Sequence, residues 1–140
     1  KHSRDNARTP MQWNDSKYAG FSTKKPWISV NKNYKTINVE NQLKDPHSVL
    51  NFYKTIIKLK KTSKALIYGT YKLLLPKSKY IFAYERELEG EKYLVVSNLN
   101  SKIVKIPSNS LDFTGELILS NYNENSSVSL APWECRIYRV

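Results

Sequence analysis

The chain has 140 residues and a formal net charge of +11 from 23 basic and 12 acidic side chains, a size for one domain or a domain with an appendage. No stretch approaches the roughly 18 consecutive apolar residues a bilayer span requires, and the amino end lacks the charged-then-apolar order of a signal peptide, so a soluble, cytoplasmic protein without membrane partners is expected. A lone cysteine, Cys135, excludes an internal disulfide framework and any zinc site built on several thiolates.

The chain opens on Lys1 and its only methionine is Met11, which favours a piece of a longer polypeptide. Residues 1–45 hold 13 of the 56 hydrophobic side chains. Fixing each backbone residue costs about 1–2 kcal/mol, and so polar a segment cannot recover that by burying itself. These residues read as a long loop of short turn-forming units: Arg8-Thr9-Pro10, Trp13-Asn14-Asp15, Tyr18-Ala19-Gly20-Phe21, Lys25-Pro26-Trp27-Ile28 and Asn31-Lys32-Asn33-Tyr34. A structureless loop of this length is usually functional when ordered. Its large apolar side chains, Trp13, Phe21 and Trp27, call for a covering surface that this chain does not obviously contain.

Asp45-Pro46 is a helix-start signal, a capping carboxylate followed by a residue tolerated in the first turn. Val49, Phe52, Tyr53, Ile56 and Leu59 then recur every three or four residues as one apolar stripe. Lys54, Lys58, Lys60 and Lys61 suit the negative end of the helix dipole, and the helix is expected to end near Ser63. From Ile67 onward, short β-branched and aromatic runs alternate with turn residues about every ten positions. Strands are expected at Tyr68–Leu75, Ile81–Leu88, Lys92–Asn98, Lys102–Ile106, Gly115–Asn121, Ser127–Leu130 and Cys135–Val140. Tyr93-Leu94-Val95-Val96 is apolar at every position, as in a strand covered on both faces, whereas Val104 and Ile106 flank Lys105 as in a half-exposed one. The predicted fold is mainly β, an antiparallel β-sandwich preceded by a long loop and one α-helix.

The inventory of chemistry is thin. His2 and His47 are the only histidines, and neither sits in a nucleophile-and-base pattern. His47 reads as a surface residue and Cys135 as a buried structural thiol. No histidine pair or aspartate cluster has metal-ligand spacing, and four scattered glycines make no phosphate loop, so neither metal nor cofactor is expected. Glu85, Glu87, Glu89 and Glu91 alternate along one expected strand and read as its solvated face. A catalytic acid needs burial to raise its pKa, and nothing in that stretch suggests it. Eighteen of the basic residues are lysines scattered from Lys1 to Lys105 and only five are arginines. A nucleic-acid footprint would gather basic and aromatic residues on one face, so a solvated lysine-rich surface is the preferred reading.

The informative segment is Arg4-Asp5-Asn6-Ala7-Arg8-Thr9-Pro10-Met11-Gln12-Trp13. Two arginines four apart around an aspartate suit either a loop held by its own ion pair or a guanidinium directed into a pocket, where its planar fork engages polar ligand groups. This decapeptide, followed by Tyr18-Ala19-Gly20-Phe21, Pro26-Trp27-Ile28, Asn33-Tyr34 and Ile37-Asn38-Val39, resembles the late part of glycoside hydrolase family 13. Within it, the likeness is to the oligo-1,6-glucosidase, α-glucosidase and trehalose-6-phosphate hydrolase branch. The resemblance continues through Val49–Leu59, Ile67-Tyr68-Gly69, Ile81-Phe82-Ala83-Tyr84 and Leu94-Val95-Val96.

The resemblance implies that residues 1–64 are the last loop and final helix of a catalytic (β/α)8 barrel and residues 65–140 its carboxyl-terminal antiparallel β domain. It implies a parent enzyme that is a retaining α-glucosidase acting on short α-glucosides, with its catalytic carboxylates upstream of Lys1 and the chain alone inactive. The partners implied are the missing amino-terminal barrel, which would cover Trp13, Phe21 and Trp27, and an oligosaccharide substrate. By the same resemblance Arg8 is the substrate-binding residue, holding the non-reducing glucose at the subsite of cleavage beside an upstream aspartate, while Arg4 and Asp5 brace the loop. A competing expectation from another class is a stand-alone sugar-binding or interaction module with Trp13, Trp27 and Trp133 as platforms. Nucleic-acid binding ranks third.

Overall fold

The computed structural model of the chain describes residues 4–107 and 110–140. It divides into two compact units, Lys1–Ile57 and Lys58–Val140. The first unit contains three 3-10 turns, Arg4–Ala7, Lys17–Gly20 and Lys32–Lys35, then helix α1, Val39–Lys44. The expectation of uninterrupted loop over residues 1–45 is therefore corrected. Asn38 lies in extended backbone at φ −155°, and its Oδ1 accepts the Asn41 N–H at 2.9 Å. The Gln12 and Trp13 carbonyls accept from Val39 N and Glu40 N at 2.9 and 3.0 Å. Three amide groups at the helix start thus find partners, two of them through residues far back in the chain. Six residues are too few to stand alone as a helix or to display a period, which is why the pattern did not announce it.

Helix α2, Val49–Thr62, begins in the first unit and ends in the second. Its start lies three residues beyond Pro46. Asp45 Oδ1 accepts the His47 N–H at 2.9 Å in a local turn, and Ser48 supplies the cap, its Oγ accepting Asn51 N at 3.2 Å. Phe52, Ile56 and Leu59 of the stripe are half-buried, and Lys60 and Lys61 occupy the last turn as expected.

In the second unit, Ser63 Oγ accepts Leu66 N at 3.2 Å and starts helix α3, Lys64–Tyr68, so Tyr68 closes a helix rather than opening a strand. The described residues thus hold three α-helices where one was expected, and the fold is mixed α/β rather than mainly β. The seven expected strands are present: β1 Thr70–Leu74, β2 Ile81–Leu88, β3 Glu91–Asn98, β4 Val104–Lys105, β5 Glu116–Ser120, β6 Ser129–Leu130 and β7 Cys135–Arg139. An antiparallel five-stranded sheet has the order β1-β2-β3-β7-β5, and β4 pairs with β6 in a second, two-stranded sheet. The β2–β3 hairpin turns on Glu89 and Gly90, whose φ values of 52° and 85° lie in the left-handed region that glycine adopts without strain.

Alternation and register sort the large sheet into two faces. Ile81, Ala83, Leu94, Val96 and Tyr138 share one face and form the buried core with Leu130 of β6, so the small sheet closes the sandwich from that side. The Phe113 ring meets Tyr138 edge-on at 5.1 Å between centroids. The opposite face carries Tyr93 and Val95, both buried, with the Phe82 and Tyr84 rings tilted at 49° to one another and 5.4 Å between centroids. Helix α3 packs against β2 and β3, and Arg86 Nη2 donates to the Ile67 carbonyl at 3.2 Å. The reading of β3 as a strand covered on both faces is borne out.

Candidate functional site

The Arg4–Trp13 motif is held at its carboxyl end by a lattice of backbone and amide contacts. Gln12 Nε2 donates to Asn33 Oδ1 at 3.1 Å and also to the Ile37 carbonyl. Trp13 N and Asn14 N both donate to the Ala19 carbonyl, at 2.9 and 3.3 Å. That carbonyl is presented by a left-handed turn in which Tyr18, Ala19 and Gly20 have φ values of 58°, 58° and 65°. Two consecutive non-glycine residues there are costly, and such conformations persist only where surrounding structure imposes them. Buried Asn38 adds a further brace, its Nδ2 donating to the Tyr34 carbonyl at 2.9 Å. Gln12, Ala19 and Asn38 lie within the motifs quoted from the sequence, which by itself gave them no bracing role. The signal that could have found Asn38 is its place before Val39-Glu40, a cap residue followed by first-turn acid.

Arg8, the one residue expected at a binding site, lies exposed just beyond the turn Arg4–Ala7, and its N–H donates to the Asp5 carbonyl at 3.0 Å. Pro10, two residues on, is buried and fixes the root of that exposed segment. The apolar side chains that called for a cover are open to solvent: Trp13 is 50%, Phe21 49% and Trp27 92% exposed. An open groove of about 520 Å³ is lined by Pro10, Met11, Ile37 and Val39 near the same braces and by Val49, Leu50 and Tyr53 of α2. Glu40 lies 2.7 Å from Lys44 Nζ on α1, and that hydrogen bond raises the ammonium group's pKa above the ordinary lysine value.

The other titratable groups considered in the sequence have structural surroundings. His47 is exposed, and His2 lies outside the described residues. Cys135 is half-buried and accepts from Ser97 Oγ at 3.1 Å across the β3–β7 pair, and burial pushes its thiol pKa up. Of the four glutamates around β2, Glu87 and Glu89 are exposed, but Glu85 is largely buried between Lys92 at 2.9 Å and Lys72 at 3.4 Å. Burial pushes its carboxyl up, and the two ammonium groups more than offset it, holding the pKa below the usual glutamate value. That direction is opposite to the one a catalytic acid needs. Among the described residues, no cluster of three or more His, Cys, Asp or Glu side chains could hold a metal ion.

With this geometry in view, comparison with known proteins gives consistent matches. The family model described as alpha amylase, catalytic domain, matches residues 1–69. The oligo-1,6-glucosidase of Parageobacillus thermoglucosidasius is 45% identical over 98% of this chain and 26% of its own length. Among solved structures, isomaltulose synthase from Klebsiella sp. LX3 superposes with a TM-score of 0.85 at 40% identity, over 98% of this chain and 26% of that one. Bacillus licheniformis trehalose-6-phosphate hydrolase does so with a TM-score of 0.86 at 35% identity, again over 98% and 26%. The chain spans about a quarter of the length of the curated relatives it matches.

Proposed function

We propose, from the chain's membership of glycoside hydrolase family 13 in its oligo-1,6-glucosidase, α-glucosidase and trehalose-6-phosphate hydrolase branch, that it is the carboxyl-terminal part of a retaining α-glucosidase. The parent enzyme hydrolyses short α-glucosides in two steps at a pair of carboxylates carried by the remainder of the polypeptide. Residues 1–64 complete the catalytic barrel and residues 65–140 form the β domain that follows it. The single observation that carries this reading is the 45% identity to an oligo-1,6-glucosidase, sustained over 98% of the chain. The braced loop with exposed Arg8 and uncovered Trp13, Phe21 and Trp27 is consistent with a surface made to meet the remainder of the barrel. Among the described residues no helix is long and apolar enough to cross a membrane.

Arg8 is the residue of this chain that touches substrate, donating from its permanently charged fork to the glucose ring at the cleaved bond. A charge-assisted hydrogen bond contributes about 1.5–3 kcal/mol. In the full-length parent, Arg8→Ala should therefore lower kcat/KM for p-nitrophenyl α-glucoside by about 10- to 100-fold, while the 140 residues alone give no turnover. Unchanged kinetics in the variant, or hydrolysis by the isolated chain, defeats this assignment. Similarity to a solved trehalose-6-phosphate hydrolase supports a second reading, in which the substrate is phosphorylated. Comparing rates on isomaltose and trehalose 6-phosphate separates the two.

A further inference from the structure

Arg8 stands on an exposed stretch, yet the backbone on either side of it has little freedom left. On the amino side, its N–H is tied to the Asp5 carbonyl at 3.0 Å, at the end of the turn Arg4–Ala7. On the carboxyl side come Thr9 and Pro10. Proline holds its own φ at about −65° and disfavours the helical region for the residue before it, so Thr9 is confined to extended backbone. Pro10 is buried as well. Only Met11 then separates this stiff pair from Gln12.

Gln12 is the point at which the stretch is fastened. Its carbonyl accepts from Val39 N at 2.9 Å, and its Nε2 donates both to Asn33 Oδ1 at 3.1 Å and to the Ile37 carbonyl. Three positions of segment 33–39 thus grip one residue. That segment is itself firm. Asn38, 3% exposed, donates to the Tyr34 carbonyl and caps α1 through Asn41 N, each at 2.9 Å. The Gln12 side chain fills no core and caps no helix; it joins the root of the Arg8 stretch to a rigid neighbour more than twenty residues further along. Both of its bonds come from one NH2 group, so losing that group releases both. A guanidinium engages a ligand oxygen only over a narrow range of distance and angle, and a misplacement of about 1 Å can cost roughly 10²-fold in rate.

We propose that Gln12 is a positioning residue that acts through Arg8, its amide holding the loop so that the guanidinium meets the substrate in one place. This rests on the preceding assignment of Arg8 to substrate. The test uses the full-length enzyme proposed above, with kinetics on p-nitrophenyl α-glucoside and hydrogen exchange of the peptide spanning residues 4–11. Gln12→Met keeps the length of the side chain and removes the donor. It should lower kcat/KM about tenfold, divided between kcat and KM as in Arg8→Ala, and quicken exchange in that peptide about tenfold. In an Arg8→Ala background it should cause no further loss of activity, because the group it places is gone. Asn33, exposed at the surface, supplies a second pair of variants should Gln12→Met misfold: Asn33→Asp keeps the acceptor and should retain activity, whereas Asn33→Leu removes it and should lower kcat/KM about threefold. Unchanged kcat/KM in Gln12→Met, a full further loss in the Arg8→Ala background, or no difference between the two Asn33 variants overturns the proposal. Should Arg8→Ala itself leave the kinetics unchanged, the substrate role of Arg8 fails, and exchange alone decides whether Gln12 holds the loop: quickened exchange upholds it and unchanged exchange removes it.

Discussion

The second unit contrasts two surroundings for a carboxylate. Glu134 and Arg136 are 1% and 2% exposed and meet at 2.7 Å. The remaining guanidinium nitrogens donate to the Ser126 and Ser129 carbonyls at 2.7 and 2.8 Å, and Glu134 Oε2 accepts from Ala131 N at 2.6 Å. Such a pair is tolerated because every polar atom it buries has a partner. Glu85 keeps its charge nearer to solvent through Lys92 and Lys72. Its carboxyl pKa is lower in the fold than in the unfolded chain. The stabilisation it brings is therefore fully present above the ordinary glutamate value of about 4.3 and is lost as pH falls through the lower folded value. Urea unfolding of the wild type and of Glu85→Gln between pH 6 and pH 2.5 should show the variant losing less stability over that acid interval; parallel curves would remove Glu85 from the acid response.

Among the elements, the left-handed turn Lys17–Gly20 bears most directly on the Arg4–Trp13 loop, because the Ala19 carbonyl holds Trp13 and Asn14 in place. Gly20 sits at φ +65°, and a Cβ added there would lie 2.7 Å from the Asn14 side chain. Asn14 cannot easily withdraw, since its Oδ1 accepts from Ser16 N and Ser16 Oγ at 3.0 and 2.6 Å. Gly20→Ala is therefore expected to cost about 1–2 kcal/mol locally. Amide exchange at Trp13 and Asn14 should quicken by about tenfold, with exchange in β3 unaltered. Exchange that does not change at those two amides would mean that the turn does not hold the loop.

For the molecule as a whole, the two units differ in how they use apolar side chains. The second buries a continuous core between its sheets, whereas the first leaves Met11, Trp13, Phe21, Ile37 and Tyr53 half-exposed or more. In the isolated chain, amides of Ala7, Arg8, Thr9 and Met11 should exchange at least about 10³ faster than those of Leu94 to Val96, which open only with the core. Adding the barrel proposed to accompany this chain should slow the former selectively, and comparable protection in both segments without it would count against a loop made to rest on a larger body. Much of this was legible in the residues. The hydrophobic split, the stripe of α2, the seven strand segments and the motif around Arg8 are local patterns, written in spacing and residue type, and composition alone isolated the polar first third. Helices α1 and α3 were not legible, because they are too short to carry a period and exist through caps and distant partners such as the Gln12 and Trp13 carbonyls. Nor could the sequence set the order β1-β2-β3-β7-β5, since strand order depends on non-local pairing whose energy appears only when the sheet closes.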